Sequence, residues 1–226
     1  MSEPKIKITK DGPYIVSGNV PLNEKIIVPV GKHYEYEEGR ALPVSQVYSL
    51  CRCGKSKNPP FCDGSHAKEG FDGTETADKA EFKDRLVREV NGPGLDLQDD
   101  GRCSLSRFCH RENGHAWNLT KQSDNPENKQ EAIRGASECP SGRLVAVEKD
   151  GYVHEDDLAP SIDILYDKEK GVDGPIYVKG GIPIESADGQ IYEIRNRVTL
   201  CRCGESVNKP FCDAMHLGKD EHERIF

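Results

Sequence analysis

A motif of seventeen residues occurs twice in this chain of 226 residues, at a fixed offset of 150 positions. Residues 50–66 read LCRCGKSKNPPFCDGSH and residues 200–216 read LCRCGESVNKPFCDAMH, with twelve identical positions. Agreement at this level does not arise by chance, so the chain contains an internal duplication. Upstream, Asp-Gly-Pro at 11–13 matches Asp-Gly-Pro at 173–175 with an offset of 162, which leaves about twelve extra residues in the first copy, within 26–40.

Two copies separated by a different sequence predict three units, at residues 1–70, 71–150 and 151–226. In the copies, alternating β-branched and aromatic residues predict strands at 13–21 and 175–183, and further strands at 47–50 and 198–200 that lead into the cysteines. In the middle unit, 126–137 predicts a helix, and 115–119 and 144–147 predict strands. The fold class expected is therefore α+β and β-rich, with two small β units around an α+β middle unit.

Composition argues against several classes of function. The formal net charge is −8 and no run of Lys or Arg is present, which disfavours nucleic acid as a partner. No apolar stretch approaches the length of a membrane span, and residues 1–10 lack the apolar core of a signal peptide. We therefore expect a soluble, cytoplasmic protein without a membrane span.

Nine cysteines are many for such a chain, and an odd number argues against a complete set of disulfides. Because the cytosol keeps thiols reduced, clustered cysteines there more often bind metal or perform redox chemistry. They fall into three groups: Cys51, Cys53 and Cys62; Cys103, Cys109 and Cys139; Cys201, Cys203 and Cys212.

The repeated motif offers Cys-x-Cys, then eight residues, then Cys-x3-His. Three thiolates and one imidazole suit either a structural zinc ion or a [2Fe–2S] cluster with two ligands per iron, and the spacing leaves both open. Asp63 and Asp213 are expected as helix N-caps before the histidines, and Ser56 and Ser206 as hydrogen-bond donors to sulfur.

The first copy, Cys51-x-Cys53-x2-Ser56-x3-Pro60-x-Cys62-Asp-Gly-Ser-His66, resembles the CDGSH (mitoNEET-like) iron–sulfur family; the second departs from it at Ala214 and Met215. The resemblance implies two [2Fe–2S] clusters. Their ligands would be Cys51 with Cys53 and Cys62 with His66, then Cys201 with Cys203 and Cys212 with His216. The resemblance also implies the intertwined dimer of that family, in which each chain carries one motif. Two copies in one chain then imply an intramolecular pseudo-dimer, and hence a monomer with a pseudo-twofold arrangement of the motifs.

The resemblance implies electron transfer or redox and pH sensing with a redox partner protein, or, as the alternative, donation of clusters to an apo-acceptor protein. A third hypothesis is an interaction module stabilised by zinc. The sequence contains no nucleotide-binding loop and no activated nucleophile, so we do not expect an enzyme. Lys55 is replaced by Glu205 in the second copy, which predicts that the second cluster is harder to reduce.

The middle pattern Cys103-x5-Cys109 with Cys139-Pro140 resembles a divergent single-cluster ferredoxin domain. Three cysteines with this spacing suit a [3Fe–4S] cluster, or they are buried thiols of a ferredoxin-like unit that has lost its cluster. Both readings stay open at this point. For Tyr34-Glu35-Tyr36, in the extra segment of the first copy, a partner surface is the minor reading.

Overall fold

A computed structural model describes residues 3–225, apart from the side chains at 221, 224 and 225. The strands are β1 (Lys5–Ile8), β2 (Tyr14–Ser17), β3 (Leu22–Val30), β4 (His33–Leu42), β5 (Val47–Leu50), β6 (Arg88–Asn91), β7 (Asp96–Asp99), β8 (His110–Arg111), β9 (Gly114–His115), β10 (Leu144–Val147), β11 (Val153–His154), β12 (Ser161–Asp167), β13 (Val172–Lys179), β14 (Ile184–Glu185) and β15 (Arg197–Leu200). The helices are α1 (Ser65–Lys68), α2 (Ala116–Lys121), α3 (Pro126–Ser137) and α4 (Lys219–Ile225), with 3-10 turns at Phe82–Asp84 and Met215–Leu217. Within this described part, no helix combines the length and apolar character needed to cross a membrane.

The two copies exchange strands. One sheet has the order β14-β1-β2-β5 and the other the order β15-β13-β12-β3-β4. In the first sheet Ile184 lies opposite Ile6 in a parallel pair, and in the second Leu22 lies opposite Ile162, also in a parallel pair. Leu22 and Ile184 are equivalent positions of the repeat, so each copy donates its third strand to the sheet of the other. The predicted β-rich fold and pseudo-dimer are confirmed.

This exchange follows from the small size of each copy. A few short strands cannot bury enough apolar surface to be stable alone. One continuous core therefore draws on both copies, and its members include Ile6, Tyr14 and Leu50 from the first and Ile164 and Leu200 from the second.

The middle unit has its own sheet, of order β11-β10-β7-β6, covered by α2 and α3 around a separate core. The predicted helix at 126–137 and the strand at 144–147 are confirmed. The strand predicted at 115–119 is wrong, because the chain enters α2 at Ala116. Ala116, Leu119 and Thr120 are its buried residues, and their spacing is helical rather than alternating.

The extra residues of the first copy extend β3 and β4 into a long hairpin that reaches the middle unit. The Tyr36 ring packs on Phe108 with centroids 4.4 Å apart, and the Arg107 guanidinium lies 4.3 Å from the centroid of the Tyr34 ring. The two tyrosines therefore contact this chain itself, which gives no support to the minor reading of a partner surface.

Candidate metal centres

In the first motif the four predicted ligands meet as two pairs. The Sγ atoms of Cys51 and Cys53 are 3.7 Å apart, and the Sγ of Cys62 is 3.4 Å from Nδ1 of His66. Strand β5 ends at Leu50, directly before the first pair, and α1 carries the histidine. The bend after β5 brings Cys51 and Cys53 together, and the turn through Gly64 into α1 brings His66 back to Cys62, which lies before the helix.

The second motif repeats this geometry. The Sγ atoms of Cys201 and Cys203 are 3.5 Å apart, and the Sγ of Cys212 is 3.5 Å from Nδ1 of His216. Two ligands that share one tetrahedral metal at about 2.3 Å from sulfur and 2.0 Å from nitrogen lie about 3.5–3.8 Å apart. All four pairs therefore have the separation of ligands that share a metal atom.

Each motif loop is braced by an aspartate. Asp63 accepts hydrogen bonds from the backbone N–H groups of Lys57 (2.8 Å) and Ser65 (3.0 Å), which hold the pKa of its carboxyl far below the usual range. The residue at the N-cap position is Gly64, in left-handed conformation, and Ala214 has the same role and conformation in the second copy. The aspartates therefore lie one residue before the cap, which corrects the predicted N-caps.

The serines of the motif hold the loop rather than the sulfurs. The hydroxyl of Ser56 donates to the carbonyl of Phe61 at 2.6 Å and accepts from the N–H of Asn58 at 3.1 Å. Ser206 makes the equivalent bonds, to Phe211 at 2.7 Å and from Asn208 at 3.0 Å. The expectation that these hydroxyls donate to sulfur is therefore wrong.

Backbone amides donate to the sulfurs instead. The N–H of Lys55 lies 3.4 Å from Sγ of Cys53, and the N–H of Gly64 lies 3.5 Å from Sγ of Cys62. Sequence reasoning missed these donors, because any residue type supplies a backbone N–H and only the turn conformation aims it.

The two motifs contact each other directly. Gly54, with φ of +72°, approaches the backbone of Cys203 so closely that an added Cβ would lie 2.4 Å from its carbonyl oxygen. The repeat-equivalent Gly204 approaches Cys53 in the same way, at 2.6 Å. A cavity of about 390 Å³ between the loops is lined by Cys51 of one motif and by Cys203 and His216 of the other.

The two centres differ in exposure. Cys212 is 3% exposed, whereas its equivalent Cys62 is half-buried, and both histidines are half-buried. Burial, together with the charge of Arg202, lowers the pKa of His216 to about 4. The third cysteine is therefore more sheltered in the second motif, whereas the second cysteine is more sheltered in the first, since Cys53 is buried and Cys203 is half-buried.

The chain after the first unit covers the second motif. The hydroxyl of Thr76 donates to the carbonyl of Val207 at 2.7 Å, and the backbone N–H of Thr76 donates to the carbonyl of Lys209 at 2.9 Å. From the middle unit, the Arg102 guanidinium lies 4.1 Å from the centroid of the Phe211 ring.

The three cysteines of the middle unit line one cavity, with Arg143 beside them. Burial raises the pKa of the Cys103 and Cys109 thiols, and the Arg143 charge opposes this shift at Cys103. The N–H of Leu105 lies 3.4 Å from Sγ of Cys103, like the amide donors of the repeated motif. Leu105 and Arg107 have φ of +55° and +65°, an uncommon conformation that often marks a functional loop.

Among residues 3–225, no group of three or more His, Cys, Asp or Glu side chains is arranged to hold a single metal ion. All nine cysteines, which lie in this range, are free. The donors of the repeated motif are thus arranged as pairs, which suits a group with more than one metal atom better than a lone ion.

Comparison with protein families agrees with this chemistry. Residues 11–67 and 173–217 match the family described as iron-binding zinc finger, CDGSH type, and residues 91–149 match the divergent 4Fe–4S mono-cluster family. The chain is an iron–sulfur-binding protein. It contains two segments of the CDGSH family in tandem, with a divergent 4Fe–4S segment between them. No curated protein and no solved structure gives a significant match to the chain.

Proposed function

We propose that this protein holds one [2Fe–2S] cluster in each CDGSH motif and serves in the transfer or sensing of single electrons. The ligands would be Cys51 with Cys53 and Cys62 with His66, and Cys201 with Cys203 and Cys212 with His216. The observation that carries the proposal is the division of each ligand set into two pairs with separations of 3.4–3.7 Å. A [2Fe–2S] group bound there supplies one-electron oxidation and reduction at iron.

The donor set fits such a group in charge as well as in number. Three thiolates and a neutral imidazole leave a site with an oxidised core of charge +2 at net −1, against −2 for four thiolates. The histidine thus makes acceptance of an electron easier. The amide of Lys55, which donates toward Cys53, stabilises negative charge on that sulfur.

Residues around the ligands hold the loops in place for this role. The N–H of Cys51 donates to the carbonyl of Pro60 at 2.7 Å, and the N–H of Cys62 donates to the carbonyl of Ser49 at 2.9 Å. These bonds join both ligand pairs of the first motif to the same strand end. A rigid ligand frame lowers the rearrangement needed when the charge of a site changes.

We propose further that Cys103, Cys109 and Cys139 hold a third cluster, of a type that needs three thiolates, such as [3Fe–4S]. The match to the 4Fe–4S family supports an iron–sulfur role for this segment. The Arg143 charge beside Cys103 suits an anionic group in the cavity. The alternative of three inert buried thiols predicts no iron in the middle unit.

The second candidate function is donation of a cluster to an apo-acceptor protein. The half-buried Cys62 and His66 favour it, because a cluster held by accessible ligands can be handed over without unfolding of the chain. Incubation of the loaded protein with an apo-ferredoxin separates the two functions. Cluster donation moves iron and sulfide to the acceptor, whereas electron transfer reduces a loaded acceptor and leaves the iron in place.

We propose that the protein is cytoplasmic and acts as a monomer. Its partner would be a redox protein, and it would not itself be an enzyme. Nine free cysteines support a reducing compartment. Size-exclusion chromatography with light scattering tests the single-chain state, and a mass near 25.1 kDa is expected.

The central experiment is a visible absorption spectrum with assays of iron, sulfide and zinc on the same anaerobically purified sample. Two [2Fe–2S] clusters give about four irons per chain, and a [3Fe–4S] cluster in addition gives about seven. A colourless protein loaded with zinc would overturn the proposal and leave a structural module.

A further inference from the structure

The middle unit is attached to the second CDGSH copy through a buried arginine. Arg197, at the start of β15, is 1% exposed, and its Nη1 donates to the carbonyls of Ala136 at 2.8 Å and Cys139 at 2.6 Å. Its other nitrogens are held by Glu155 at 2.7 and 3.1 Å. A single side chain thus joins the end of α3 and Cys139, which follows that helix, to the strand that leads into Cys201.

The internal repeat supplies a reference for this position. Val47 begins β5 at the residue equivalent to Arg197, and it is 52% exposed. No middle unit contacts the first copy at that place among the described residues, and an ordinary exposed valine stands there. Arg197 is therefore a feature of the docked copy and not of the CDGSH motif.

A second contact presses the two elements together. Gly142, with φ of +62°, lies so close to the backbone of Arg197 that an added Cβ would be 2.3 Å from its carbonyl oxygen. Arg195 donates to the carbonyl of Gly142 at 3.0 Å. The turn after Cys139 therefore packs on β15 without room for a side chain.

These contacts bring the middle cysteines next to the second motif. Ser141 and Gly142, which follow Cys139, line a small cavity together with Cys212. The loop that carries Cys103 and Cys109 is held to the second copy by an ion pair between Arg107 and Asp167, with 2.8 Å between Nη1 and Oδ2. The long hairpin of the first copy packs on the same loop at Phe108.

We propose that Arg197 is a positioning residue that locks the three-cysteine site of the middle unit against the second CDGSH motif, so that these two sites form an electrostatically coupled pair. The inference rests on the proposed function, because it requires clusters at both sites. An electron added to one site makes addition of an electron to the other less favourable, and no bond forms or breaks. The first motif lies outside this pair.

The test uses the loaded full-length protein and a redox titration followed by electron paramagnetic resonance, with a soluble one-electron reductant. Cys62→Ser and Cys212→Ser variants assign the two CDGSH signals. In Cys139→Ser the middle iron is expected to be lost, and with it an anionic neighbour of the second motif. The reduction equilibrium of the second site should then become more favourable by roughly tenfold, about 59 mV, with the first unchanged.

Two variants test Arg197 itself. Arg197→Lys keeps the charge but loses the fork that reaches two carbonyls, and Gly142→Ala pushes the same turn away from the other side. Both should keep their iron and shift the potential of the second site alone. Val47→Gln, a neutral change at the repeat-equivalent exposed position, is the matched control and should shift neither potential.

The outcomes separate the claims. Loss of middle iron in Cys139→Ser with an unchanged second potential, or with equal shifts at both motifs, overturns the coupling. A coupling that persists in both Arg197→Lys and Gly142→Ala overturns the role of Arg197. A wild-type protein with iron for two clusters only overturns the middle site and the pair together, and leaves the two [2Fe–2S] centres standing.

Discussion

Gly54 of the first motif packs on the carbonyl group of Cys203 in the second, at a distance that leaves no space for a Cβ atom. Because Gly204 packs on Cys53 in the same way, the two cysteine loops form one contact around the pseudo-twofold axis. The two candidate centres are thus parts of one assembly.

The first prediction concerns this contact. Gly54→Ala combines a left-handed residue with a clash against backbone, and we expect it to lower the free energy of unfolding by about 3 kcal/mol. Gly64→Ala is the control, because nothing lies within 4 Å of its added Cβ and the second copy already has Ala214 there. Urea unfolding followed by the visible absorbance measures both. Equal effects of the two variants would contradict the importance of the loop contact.

The second prediction concerns Ser56, whose hydroxyl holds the loop and not a sulfur. Ser56→Ala should destabilise the protein by about 1 kcal/mol and speed loss of the visible absorbance in urea. It should leave the reduction potential of the first centre unchanged. A clear change in the reduction potential of the first centre would instead indicate that the Ser56 hydroxyl bonds a sulfur. Ser65→Ala, at the start of α1, serves as the control.

The third prediction uses the different exposure of the two centres. An iron chelator should remove iron from the two CDGSH motifs in two phases, and the fast phase should belong to the first motif, because Cys62 is half-buried and its equivalent Cys212 is buried. Cys62→Ser should abolish the fast phase, and Cys212→Ser the slow phase. A single rate for both centres would contradict the unequal shelter.

The fourth prediction concerns pH and the ion pair between Glu155 and Arg197. Burial alone would raise the pKa of Glu155, but the hydrogen bonds and charge of Arg197 hold it below its ordinary value. A carboxyl with a lowered folded pKa stabilises the protein above its unfolded pKa, and this contribution is lost as the pH falls through the folded pKa. Glu155→Gln should therefore cost about 1–2 kcal/mol at pH 7, less than a fully buried pair because Glu155 partly meets solvent.

The fluorescence of Trp117, the one tryptophan of the chain, reports unfolding of the middle unit in this test. The difference between wild type and Glu155→Gln should shrink below the ordinary pKa of glutamate and vanish at lower pH. A difference that stays constant from pH 7 to the acid range would contradict the ion pair as its source.

Secondary-structure elements whose signals lie within a short stretch of sequence could be predicted from the sequence. Asn125 caps the helix at 126–137, because its side chain accepts hydrogen bonds from the N–H groups of Glu127 and Asn128. A proline stands at the first helical position, and both signals lie within a few residues. The segment 115–119 was misread because a short stretch with two apolar positions fits either period. Ala116 and Leu119 are both buried, and their three-residue spacing is that of a helix. Which positions are buried depends on the core of the middle unit, against which the helix packs.

The sequence by itself determined the ligand pairs, since Cys-x-Cys and Cys-x3-His keep the two donors of each pair within five residues, a separation that one bend or one turn closes. The repeat likewise determined that the molecule is a pseudo-dimer. Only the tertiary structure decided that Cys212 is more sheltered than Cys62, that Gly54 meets Cys203, and that Arg197 joins the middle unit to the second motif. These contacts link residues far apart in the chain, and they depend on the packing of whole units, for which no local pattern of residues exists.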